Sequence, residues 1–157
     1  IRDLPADFIS LKLGINVVNG ANHTARTFGP AVHGFIDTIR ESKPTTPILV
    51  ISPVCCPAHE NNPGPSDTDA NGKVVGQEFS KHDWIGELTL VGIREILSEL
   101  VAARSQADPN IYYMSGLELF DEVDAPTMPD GIHPDAAGYR RIGENFVAKH
   151  PRDWLAR

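Results

Sequence analysis

The stretch Asp130-Gly131-Ile132-His133-Pro134 has residue types and spacing suited to proton transfer. An Asp three residues before a His, on a loop entering a helix at Pro134, can turn back and bond the imidazole. Such a bond fixes the tautomer and stabilises the imidazolium once the other ring nitrogen takes a proton, as a general base requires. Gly131 permits the sharp backbone. The same spacing also fits a plain helix-entry junction with an exposed histidine. A second candidate is Gly14-Ile15-Asn16, within Gly14–Gly20. A glycine at a strand end followed by an Asn amide can point a donor into a cleft, as an oxyanion hole needs. Asn and Gly serve equally in an ordinary turn.

The remaining chemistry-bearing residues give less. His23, His33, His59, His82 and His150 read as surface or loop histidines, with His59 and His82 in a long loop. They form no H-E-x-x-H, and the adjacent Cys55 and Cys56 form no C-x-x-C, so no metal site is assigned. No G-x-G-x-x-G or Walker A pattern follows either of the first two strands, so no nucleotide or other cofactor is assigned. Adjacent cysteines cannot staple distant parts of a fold and read as two buried thiols, compatible with a reducing compartment.

The elements that must position these residues follow from periodicity. Residues 7–13 alternate apolar and polar and stop at Gly14, as a strand does. Val32, Phe35, Ile36 and Ile39 fall at helical spacing, with Pro30 suited to the first turn and Pro44 and Pro47 ending the helix. Ile48–Ile51 is a continuous apolar run, the mark of a strand buried on both faces. Pro53 to about Ile85 has little periodicity and much Pro, Gly, Asn and Asp, which suggests a functional lid or binding excursion. Ile93, Ile96, Leu97, Leu100 and Val101 mark a second helix, residues 110–114 a third strand, and Pro134 to Lys149 a last helix with Tyr139, Ile142 and Phe146 inward. This β-α-β-loop-α-β-α order implies parallel strands in an α/β layered sheet. Ligands of such sheets sit beyond the carboxyl ends of the strands, where both candidate motifs fall.

Composition narrows the partners. The 157 residues carry a net charge of −7, with 41% apolar and 22% charged residues. That is an ordinary globular mixture, and its acidity makes nucleic acid a poor partner. The longest apolar run, about a dozen residues from Pro47, is broken by Pro53 and Pro57, so no membrane span is expected. The chain begins at Ile1 without Met or a signal-peptide pattern, as if cut from something longer, and a cytoplasmic location is the expectation.

Two blocks carry a family resemblance. Ala6–Gly20, ADFISLKLGINVVNG, resembles the block holding the side-chain oxyanion donor of the SGNH, or GDSL, hydrolases. Met128–Tyr139 resembles their last block, D-x-x-H-P followed by a helix. The two stand in the family's order, about 115 residues apart. The resemblance covers essentially the whole chain but only the later part of the family's domain. It implies a flavodoxin-like three-layer α/β/α sandwich with a parallel sheet, here lacking the first strands, so that residues 1–157 are the C-terminal part of one domain.

Carried over, His133 is the base, Asp130 its orienting partner and Asn16 the oxyanion donor of a serine-dependent acyl-ester hydrolase acting on a small-molecule ester. Many members have Asp after that Asn; here it is Val17. The family's nucleophilic serine stands in a Gly-Asp-Ser segment, which does not occur in these residues; Ser10, Ser52 and Ser115 lie in other contexts. The nucleophile is therefore expected from an upstream segment of the same protein, and this chain alone is expected to be inactive. An acyltransferase of the same family is the near alternative. A non-catalytic binding domain that kept the fold is the other.

Overall fold

Ile48, Leu49, Val50 and Ile51 form a strand, β2, with every side chain buried. Burying such a side chain stabilises by roughly 1.5–3 kcal/mol, and a strand apolar on both faces needs a layer on each. Both layers are present. The computed structural model describes residues 2–150. In chain order it contains β1 (Ile9–Lys12), α1 (Ile15–Asn19), α2 (Ala25–Arg40), β2, a hairpin of β3 (Asp67–Thr68) and β4 (Val74–Val75), α3 (Leu90–Arg104), β5 (Ile111–Met114) and α4 (Ala136–Lys149).

β1, β2 and β5 make a parallel sheet in that order, with Lys12 opposite Ile51 and Ile51 opposite Met114. Its carboxyl ends are therefore level, and the loops after them share one edge. Leu11, Ile48, Val50 and Ile111 pack on one face with Phe28, Val32 and Ile36 of α2 and Ile93, Leu97 and Leu100 of α3. Leu49, Ile51 and Met114 pack on the other with Leu119, Phe120 and Met128, backed by Ile142 and Phe146 of α4. The result is the expected α/β/α layering.

Several local expectations are corrected. α2 begins at Ala25 rather than at Pro30, because Thr24 and Thr27 form a capping box at its start. Pro30 lies inside that helix on its exposed side, where a carbonyl deprived of its donor can turn to water. The excursion from Pro53 to Ile85 is not featureless: it carries the β3–β4 hairpin and a single 3-10 turn at Asp83–Ile85. Tyr139 is 58% exposed rather than inward: the first turn of α4 directs Gly138 to the interior, against Thr127, Pro134 and Phe120, and its neighbour faces outward. His59 lies in the long loop as expected, but it is fully buried there.

Candidate active site

The site starts at the end of β1. Leu13 N–H still pairs with the Ile51 carbonyl at 3.1 Å, and then Gly14 turns the chain at φ +125°. A Cβ there would stand 2.5 Å from both Ile93 Cγ2 and Pro53 Cγ, so only glycine fits, for conformation and for space. Its carbonyl accepts from Val17 and Val18 N–H at 3.0 and 3.1 Å, which starts α1 and places Asn16 in the first turn. Asn16 is exposed, and its side-chain amide makes no hydrogen bond among the described residues. A donor left uncommitted is what an oxyanion would require.

The second component is a tight turn ahead of α4. Asp130 Oδ1 accepts the backbone N–H groups of Ile132 (3.0 Å) and His133 (2.7 Å), and Oδ2 lies 2.7 Å from His133 Nδ1. Gly131, at φ +83°, makes this reversal possible. The His133 backbone N–H, then its imidazole and the Ile132 N–H, hold the Asp130 carboxyl far below the usual carboxylate range. A carboxylate only accepts, so in the neutral imidazole the hydrogen sits on Nδ1 and the lone pair on Nε2. Nε2 has no hydrogen-bond partner among the described residues, and the imidazole side chain is 71% exposed. Asp135 then caps α4 through the N–H groups of Ala137 and Gly138.

Asn16 and His133 line one cleft of about 160 Å³, with Asn19, Cys56, Pro134 and Tyr139. A larger groove of about 630 Å³ between Cys55–Asn61 and Leu117–Val123 contains neither of them. The smaller cleft is the one that brings the two sequence motifs together. Its floor is the segment after β2. Cys56 Sγ donates to the Gly131 carbonyl at 3.5 Å, and Cys56 N–H to Glu60 Oε1 at 2.9 Å. Burial pushes the Cys55 thiol up to about 12, and Cys56 in the same direction, so neither is poised as a thiolate. Arg94 of α3 reaches under this segment, donating to the Pro53 and Val54 carbonyls and gripping Glu60 with two bonds of 2.7 Å. Among the described residues no group of three or more His, Cys, Asp or Glu could hold a metal ion. No helix among them is long and apolar enough to cross a membrane.

Solved structures with this architecture form a coherent set. A salicylyl-acyltransferase from a tetracycline biosynthetic pathway superposes with a TM-score of 0.69 at 25% identity, over 99% of this chain and 39% of its own. A family 3 carbohydrate esterase from Talaromyces cellulolyticus gives 0.61 at 15% identity, over 96% of this chain and 60% of its own. A protein of Bacteroides ovatus assigned as a GDSL-like lipase gives 0.58 at 20% identity, over 92% and 35%. The chain has the SGNH-hydrolase fold. It spans less than two thirds of the length of each of these proteins. No family model and no curated protein matches the sequence itself.

Of the chain's eight serines, the three that lie in or directly after a strand of the parallel sheet are otherwise engaged or misplaced. Ser52 is fully buried, its Oγ bonded by Gly116 N–H and the Tyr113 hydroxyl. Ser115 caps a 3-10 turn, and Ser10 lies mid-strand in β1. The sequence reading missed the roles of Arg94, Glu60 and His59, which bond the backbone of residues 53–56 behind the cleft. One signal was available: Arg94 interrupts the apolar stripe Leu90, Leu97, Val101 of α3, and a cation on a buried stripe requires a partner.

Proposed function

We propose that this chain supplies the base and one oxyanion donor of a serine-dependent acyl-ester hydrolase, with the nucleophilic serine on an upstream segment of the same protein. The carrying observation is the 2.7 Å Asp130–His133 pair on the same cleft as the uncommitted Asn16 amide. In this reading His133 Nε2 takes the proton of the serine hydroxyl as its oxygen attacks the ester carbonyl. Asp130 holds Nδ1–H and stabilises the imidazolium. Asn16 Nδ2–H and two backbone N–H groups receive the charge that develops on the carbonyl oxygen. His133 then returns its proton to the departing alkoxide, and water repeats the sequence to release the acid.

A second reading, acyl transfer, is favoured by the salicylyl-acyltransferase likeness, which spans 99% of this chain. It differs only in which hydroxyl enters the cleft after the acyl-enzyme forms. The full-length protein, assayed with short and aromatic acyl esters with and without an added alcohol acceptor, separates the two. Ester hydrolysis abolished by His133→Ala supports the hydrolase. Turnover only with acceptor supports the transferase. Wild-type turnover that survives His133→Ala unchanged refutes both.

A further inference from the structure

His59 is a fully buried titratable side chain that the proposed reaction does not use. Its Nδ1 lies 3.2 Å from the Asn62 carbonyl and its Nε2 2.7 Å from Ser66 Oγ. A carbonyl can only accept, so Nδ1 carries the hydrogen and the Ser66 hydroxyl donates to Nε2. The backbone is pinned as well: His59 N–H bonds the Cys56 carbonyl, and the His59 carbonyl accepts from Leu90 at the start of α3. The imidazole is thus an internal staple across residues 56–66.

Both ends of the stapled segment grip the candidate site. On one side Ser66 N–H donates to the Asn19 carbonyl at 2.9 Å, at the end of the helix that carries Asn16. Gly64 presses against the same helix so closely that a Cβ there would lie 1.7 Å from the Val18 carbonyl oxygen. On the other side Val74 N–H of the hairpin donates to the Asp130 carbonyl at 2.9 Å, and Cys56 Sγ meets the Gly131 carbonyl. Between these contacts the segment is closed by Gln77 N–H on the Pro63 carbonyl and Asn62 Nδ2 on the Gln77 carbonyl.

We propose that His59 is a positioning residue: through Ser66 it sets the spacing between the Asn16 helix and the Asp130–His133 turn. The proposal rests on the acyl-ester hydrolase reading of those residues. Without the Ser66 hydroxyl, the buried Nε2 has no donor, and the loop that fixes Asn19 against Asp130 loses its internal tie. Misplacement on the order of 1 Å can cost up to ~100-fold in rate even when substrate binding is intact.

The test is Ser66→Ala, alongside His59→Phe, in the full-length protein, with active sites counted by a serine-directed phosphonate. The expected result is a fall in kcat per titrated site of about tenfold in Ser66→Ala and more in His59→Phe, with KM within about twofold. The resonance of the His133 Nδ1 proton should move in both. A purely structural role would lower Tm and the number of titratable sites but leave kcat per site and that resonance unchanged, and this outcome overturns the proposal. If the wild type neither turns over nor titrates, the enzymatic reading fails. The resonance then decides alone: a shift in Ser66→Ala upholds the coupling, and no shift refutes it. Should His59→Phe not fold, Ser66→Ala carries the same decision.

Discussion

Replacing Arg94 with Met is the sharpest probe of how the site is supported. Arg94 is 8% exposed and serves three acceptor groups: the Pro53 carbonyl at 3.0 Å, the Val54 carbonyl at 3.2 Å and both oxygens of Glu60 at 2.7 Å. Met retains much of the apolar stem but none of the donors. The Glu60 carboxylate, only 20% exposed, would stay behind without its counter-charge, beside two buried carbonyls. Removing one partner of such a pair costs about 3–5 kcal/mol, which for a domain of this size lowers Tm by roughly 6–20 °C. Arg94→Met/Glu60→Met should recover part of that loss, because the stranded charge is gone; the carbonyls keep the rest unrecovered.

The same pair predicts a pH dependence. Burial alone would raise the Glu60 carboxyl, but the Arg94 bonds and the Cys56 N–H outweigh it and hold it below its ordinary value. A depressed folded-state value stabilises above the unfolded one, about 4.3, and that stability is lost as pH falls through the folded value. Urea denaturation of the full-length protein at pH 7 and at stepped lower pH would measure both effects. The wild type should lose its advantage over Glu60→Gln on acidification. An Arg94→Met variant within about 1 kcal/mol of wild type would refute this account, since no exposed pair is worth more.

Other outcomes follow from the same geometry. Asp130→Asn keeps the shape of the turn but removes the charge facing Nδ1–H, so kcat in the full-length protein should fall by on the order of 10²–10⁴-fold with KM little changed. Asn16→Ala removes one oxyanion donor and should cost about 10²–10³-fold in kcat without altering Tm, because that amide has no partner among the described residues. Gly14→Ala should destabilise sharply: its Cβ would meet Ile93 and Pro53 at 2.5 Å in a backbone region closed to L-residues, and thermal melting reads this directly. The 157-residue chain alone should take no label from a serine-directed phosphonate, and stoichiometric labelling would redirect the search to Ser10, Ser52 or Ser115.

The sheet and its helices were legible in the sequence because burial is written in periodicity. Ile48–Ile51 could only be a strand covered on both faces, and the apolar stripes of α2 and α3 could only face it. The Asp130–His133 contact was legible for a different reason: three residues and one glycine suffice to build it, so no distant partner enters. What escaped was whatever depends on contacts between remote segments. Pro30 was misassigned to a helix start because the cap, Thr24 with Thr27, lies in a segment with no apolar period of its own.

The sequence places His59 in the long loop but gives no sign of its burial, for a deeper version of the same cause. Polar residues in a Pro- and Gly-rich loop normally face water. Here Gly64 and Gly76 have no side chain to hold the loop away from its neighbours: added Cβ atoms would lie 1.7 Å from the Val18 oxygen and 2.5 Å from the Ala58 oxygen. The loop therefore folds inward onto α1 and onto itself, and His59 becomes its centre. A buried imidazole in that position must have both nitrogens satisfied, and Asn62 and Ser66, three and seven residues on, supply an acceptor and a donor locally. The glycines that make this loop look unstructured in sequence are what let it close against the site.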